Sequence, residues 1–133
     1  VNELTLICGP CGLAILGDTG CLRVSHGAIK RHQRETAEWN ARHPGDAHDL
    51  TELLTLPDEV QWVAWHDKCR PAGFDDGYEI DSVRLSTWSG LAHWTAHLMS
   101  KRWLDCTDWD DVLREAAGEI PSRRIRAVRN VAA

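Results

Sequence analysis

Residues Ile7–Gly12 read ICGPCG, and residues His66–Cys69 read HDKC. Two chemistries fit thiols placed two residues apart. Such a pair can cycle between dithiol and disulfide. The same spacing also lets two thiolates converge on one ion, and Gly12, directly after the second cysteine, relieves the tight backbone that this needs.

CGPC is also the active-site tetrapeptide of thioredoxins. There the pair sits where a strand meets a helix, and the helix N-terminus lowers the first thiol's pKa. Here seven residues precede Cys8, a short stretch for the strand and helix expected upstream. GLAILGDTG follows, with three glycines and no helical pattern. The context argues against a dithiol enzyme.

Structural zinc takes four ligands in a tetrahedron. Cys8 and Cys11 supply one pair, and His66 and Cys69, spaced alike, supply the other. A knuckle, a hairpin and a later pair arriving on a strand or first helical turn outline a zinc ribbon or treble clef. The expectation is a structural Zn2+ held by Cys8, Cys11, His66 and Cys69, coordinatively closed and therefore stabilising rather than catalytic. Cys21 is the rival ligand, because it lies close after the knuckle. As a strand residue in GCLRVS it is expected to pack as a small apolar side chain. Cys106, between two helical segments, is expected to have no metal role.

Other constellations are weaker. His93 and His97 lie four apart in HWTAH, a spacing that holds catalytic metals, but Trp94 stands where a metalloprotease has its Glu. Asp105 or Asp108 would be the third ligand. This is the basis for an alternative reading as a metal-dependent hydrolase or nuclease, although no Asn partner for a nuclease site stands out. The favoured reading of the pair is polar helix positions beside a Trp-rich core. TDWDD reads as helix-capping and dipole residues, and Asp75–Gly77 as a turn.

These residues need elements to position them. GDTG between apolar segments predicts a hairpin of Leu13–Leu16 with Cys21–Ser25. A charged helix follows, capped by Ser25 and closed by Pro44-Gly45, with Ile29, Ala37 and Trp39 as its thin apolar face. A short helix is expected around Leu50–Leu54, a strand through Val60, Trp62 and Ala64 into His66, and another at YEIDSVRL. The last third is helical. One helix is capped by Ser86 or Thr87 and carries Leu91, Trp94 and Leu98. A second starts at Thr107 and stops at Gly118. Trp88, Trp94, Trp103 and Trp109 are expected to serve the core.

Composition sets limits. The chain has 133 residues, 43% hydrophobic and 26% charged, as in ordinary globular domains. No apolar run approaches the ~20 residues of a membrane span. The odd cysteine count, five, and the lack of a visible export signal point to a reducing cytoplasm rather than a disulfide framework. Net charge is −5. Arg123, Arg124, Arg126 and Arg129 lie after Pro121, so residues 1–120 hold the other eleven bases and all twenty acids, a net −9. The division expected is one zinc-stabilised domain over 1–120 and a basic, flexible tail over 121–133. The acidic body disfavours gripping a long duplex.

From VQWVAWHDKC through YEIDSVRLSTWSGLAHWTAHLMSKRWLDCTDWDDVLR the chain resembles a group of small, largely uncharacterised zinc-knuckle proteins of actinobacteria and their phages. That resemblance covers most of the chain outside Ala28–Leu56 and the tail. It implies the same pairing of Cys8 and Cys11 with His66 and Cys69, and it implies no activity. The expectation is an α+β fold, a zinc-clipped hairpin unit on two C-terminal helices. The function expected is that of a small binding module, a phage or prophage accessory factor contacting a host protein in the host cytoplasm. A nucleic-acid binder using Arg123, Arg124, Arg126 and Arg129 is the alternative.

Overall fold

Two small antiparallel sheets and four α-helices make up residues 2–73 and 76–128, which this computed structural model describes. The fold is α+β, as expected. β1 (Leu4–Ile7) is central in the first sheet, between β2 (Ala14–Ile15) and β6 (Ile125–Ala127). β3 (Gly20–Ser25) is central in the second, between β4 (Val63–His66) and β5 (Gly77–Asp81). Asp75 of the expected turn and Arg129 of the expected tail lie outside the described residues.

The pairing corrects the expected hairpin. β2 does not pair with β3. It folds back on β1, with Leu6 opposite Ile15 and Ile7 opposite Ala14. Burial explains the difference. Gly20 to Val24 are all buried, so β3 must satisfy its backbone groups on both edges. β4 and β5 do this, with Gly20 opposite His66 on one side and Cys21 opposite Asp81 on the other. The GDTG turn therefore carries the chain from one sheet to the other.

The helices begin and end where their caps dictate. The Ser25 hydroxyl accepts the Ala28 N–H at 3.0 Å and starts α1 (His26–Arg42), which buries Ile29 and Trp39. Asp49 caps α2 (Leu50–Leu53) through the Glu52 N–H at 2.8 Å. Thr87 caps α3 (Trp88–Leu98) through the Gly90 N–H. α4 (Trp109–Ala117) stops at Gly118, whose φ of 77° is the left-handed conformation glycine adopts without strain.

Trp62 anchors the aromatic part of the core. Its ring lies 5.0 Å from Trp109 and 6.1 Å from Trp103. Its indole N–H donates to the Thr107 hydroxyl at 3.0 Å, and that of Trp109 donates to the Thr95 hydroxyl at 3.1 Å. A buried indole needs such a partner. One of the expected core tryptophans behaves otherwise: Trp88 is 42% exposed, whereas Trp94 and Trp103 are half-buried and pack against the core. Leu91 and Leu98 are the buried residues of α3, and Trp94, three residues after Leu91 and four before Leu98, packs beside them against the core.

The boundary expected after residue 120 is not a boundary of the fold. β6 completes the first sheet, with Leu4 opposite Ala127 and Leu6 opposite Ile125. Arg124 is buried between two carboxylates. Its Nε donates to Glu115 at 2.9 Å, and its Nη2 donates to the same Glu115 oxygen. Its Nη1 donates to Asp108 at 2.5 Å and to the Trp62 carbonyl at 3.1 Å. Asp108 in turn accepts the Trp62 N–H at 2.9 Å. Asp108 is therefore a buried cross-link, and its side chain does not cap α4. The arginine count alone reads as a solvated tail, whereas burial with two acids makes Arg124 part of the interior.

Candidate metal centre

The knuckle is the turn between β1 and β2. The Cys8 N–H donates to the Leu13 carbonyl at 2.9 Å, and the Gly12 N–H donates to the Cys8 carbonyl at 2.8 Å. Gly12 has φ +75°, so the glycine after the second cysteine is where the backbone turns left-handed. The Gly9 N–H donates to the Ala64 carbonyl at 2.8 Å and fastens the knuckle to β4.

The second pair arrives at the end of that same strand. His66 is the last residue of β4, and Cys69 closes the 3₁₀ turn Asp67–Cys69. Gly20 lies directly opposite His66 across the sheet. A Cβ there would collide with the Trp65 carbonyl oxygen and lie 2.8 Å from Ile15. A glycine at this point lets both strands close up behind the histidine.

Four donor atoms converge. The three sulfurs of Cys8, Cys11 and Cys69 and one imidazole nitrogen of His66 all lie within 4.8 Å of one another. Nδ1 of His66 is 3.3 Å from the Cys11 sulfur and 3.8 Å from the Cys69 sulfur. With bonds of about 2.0–2.3 Å, a tetrahedral site has edges of roughly 3.5–3.8 Å. The donors are already at that scale, so they could hold a metal ion with little movement. All five cysteines are free thiols.

The ring is oriented from behind. Nε2 of His66 lies 3.1 Å from the Ala14 carbonyl, which can only accept, so Nε2 carries the proton and Nδ1 presents its lone pair to the sulfurs. Charge is arranged unevenly. Burial raises the Cys8 pKa, but the N–H groups of Cys11 and His66 outweigh it and bring Cys8 down to about 7. Burial, with the neighbouring Cys8 and Cys11 thiols, pushes Cys69 up to about 11. A divalent cation would remove the mutual repulsion that opposes ionising the three together. Three sulfurs and one nitrogen fill a tetrahedron, leaving no position for a substrate.

The remaining candidates fall elsewhere. Cys21 is buried in β3, its thiol pushed up to about 11 by burial and by Glu79, and it is not among the converging ligands. Cys106 is half-buried at the end of a 3₁₀ turn, and burial and Asp105 raise its pKa. His93 and His97 are exposed on α3, their rings 5.8 and 5.3 Å from Trp94. Among the described residues they join no group of three metal-binding side chains, and Asp108 is committed to Arg124. Arg123 and Arg126 are exposed, whereas Arg124 is not.

Two features were not foreseen. One is the buried Asp108–Arg124–Glu115 triad. The other is a close group of Glu59, Asp110 and Asp111, whose oxygens also lie within 4.8 Å of one another. TDWDD signalled the two aspartates, but nothing local in the sequence ties Glu59 to them.

Among the described residues, no helix is long and apolar enough to cross a membrane. No family model matches the chain, no curated protein is significantly similar to it, and no solved structure matches it.

Proposed function

We propose that Cys8, Cys11, His66 and Cys69 bind one structural Zn2+, and that the protein is a small zinc-stabilised module that binds another protein. The observation that carries the reading is the convergence of three sulfurs and an oriented imidazole within 4.8 Å. Thiolate and imidazole together suit zinc rather than magnesium or calcium, which prefer oxygen. In this reading the knuckle, the β1–β2 hairpin and the end of β4 form a unit resembling a zinc ribbon or treble clef. Structural zinc in small domains contributes on the order of 10–16 kcal/mol at neutral pH. Such a contribution matters where β2 has two residues and the knuckle leaves Cys11 and Leu13 exposed.

The biological setting that fits the sequence resemblance is a phage or prophage accessory factor acting on a host protein. Protein is favoured over nucleic acid because the net charge is −5 and Arg124 is locked inside the fold. Two experiments test this. Removing zinc with a chelator should abolish the cooperative thermal transition, and restoring zinc should recover it. Tight binding to duplex DNA that weakens steeply with salt would contradict the choice of partner.

A further inference from the structure

An open cavity lies between α3 and α4. It has a volume of 640 Å³ and runs into a second of 380 Å³, since Thr95, Met99 and Leu113 line both. The floor is apolar: Trp88 and Leu91 at one end, Leu104 and Trp109 at the other. Met99 is 74% exposed and Trp88 42%. Scattered exposed apolar residues are ordinary, but here they line one continuous groove, which is how interaction sites are built. Methionine adapts to the shape of whatever packs against it.

Charge selects the occupant. Glu59 and Asp110 line the wider end, and Asp111 lies beside them. Burial and the charges of Asp110, Asp111 and Asp108 raise the pKa of Glu59, so the end is crowded with negative charge. Arg114 reaches Asp110 and Asp111 at 3.0 and 3.1 Å, and Asp105 lines the same cavity, so four carboxylates stand against Arg114, Lys101 and Arg102. Lys101 and Arg102 line the same cavity, but the Lys101 ammonium lies over the Tyr78 ring, 5.8 Å from its centre.

We propose that this groove receives an amphipathic helix of a partner protein. Its apolar side chains, one helical turn apart, seat against Trp88, Met99 and Leu113, and a lysine or arginine beside them faces Glu59 and Asp110. The inference rests on the reading of this protein as a protein-binding module and gives that reading a surface and a partner chemistry. A second copy of the chain fits less well. Of its exposed leucines, Leu50, Leu53 and Leu54 sit among Asp46, Asp49, Glu52 and Asp58 and would bring like charge to the acidic end, while Leu13 and Leu16 flank the β1–β2 knuckle rather than a helix.

The test uses the zinc-loaded full chain and three synthetic helical peptides. One has leucines along one face and lysines elsewhere. The second is a scrambled version of the same composition, and the third carries glutamates in place of the lysines. Fluorescence anisotropy should show the first binding at least about tenfold more tightly than the other two. Met99→Asp, at an exposed position and with an unchanged melting temperature, should weaken it about tenfold. The double variant Glu59→Gln, Asp110→Asn should flatten the salt dependence. The proposal is overturned by equal binding of the scrambled peptide, by no binding of any peptide, or by an inert Met99→Asp. Self-association that Met99→Asp abolishes would assign the groove to a second copy and overturn it too. Zinc measured on the same sample separates the two claims. Full zinc without peptide binding defeats the groove alone, and absent zinc defeats the metal reading.

Discussion

Nε2 of His66 donates to the carbonyl oxygen of Ala14 at 3.1 Å, while Nδ1 of the same ring lies 3.3 Å from the Cys11 sulfur. One side chain therefore ties β2 to the end of β4 and aims a nitrogen at three thiols. The protonated nitrogen must be the one facing the carbonyl. Long-range nitrogen–proton NMR should find His66 in the Nε2–H form in the zinc-loaded protein, with Nδ1 shifted by the metal. A ring protonated at Nδ1 would contradict this geometry.

The same strand end makes Gly20 critical. A methyl group there meets the Trp65 carbonyl and Ile15 at less than contact distance, and backbone cannot yield as a side-chain tip can. Gly20→Ala should cost about 1–3 kcal/mol, the usual range for overpacking. It should also weaken zinc binding, because Gly20 lies opposite His66. Urea unfolding together with a competitive zinc indicator checks both. A variant as stable as the parent would show that the strands have room for a side chain behind His66.

Arg124 and Arg126 are two residues apart in sequence and opposite in consequence. Arg124→Ala leaves Asp108 and Glu115 buried without their cation and should cost about 3–5 kcal/mol. Arg126→Ala, at an exposed position of β6, should stay within about 0.5 kcal/mol. Equal effects in chemical denaturation would return both residues to a solvated tail.

The contrast marks how far the sequence could be read. The four residues whose donor atoms converge were legible because two pairs shared a spacing. Caps were legible, to within the choice of Ser86 or Thr87 at α3, because Ser25, Thr87 and Gly118 act within a few residues of themselves. Strand partners were not, since the pattern that marks β3 as apolar does not say which neighbours it takes. Asp108, Glu115 and Arg124 were not legible together either. Each looks like a surface charge in its own segment, and only the tertiary fold gathers the two acids around Arg124, with Asp108 and Arg124 on the Trp62 backbone.

Glu115 gives that triad a pH dependence. Burial raises its pKa, but hydrogen bonds from the Arg124 side chain and the Arg123 and Arg124 amides outweigh burial, so its carboxyl falls below the ordinary 4.5. A depressed acid stabilises the fold fully above its unfolded pKa and loses that contribution as the pH falls through the folded value. Stability should therefore decline from about pH 4.5 downward. Glu115→Gln should be less stable near neutral pH and should show a smaller decline through this window than the parent. A parallel pH profile in parent and variant would exclude Glu115 as the titrating group.

Metal content by mass spectrometry on the purified chain and its variants tests the proposed zinc site most directly. One equivalent of zinc per chain is expected, lost in Cys69→Ala and retained when His93 and His97 are both changed to Ala. Protein without zinc, or Cys69→Ala with full zinc and an unchanged fold, would contradict it.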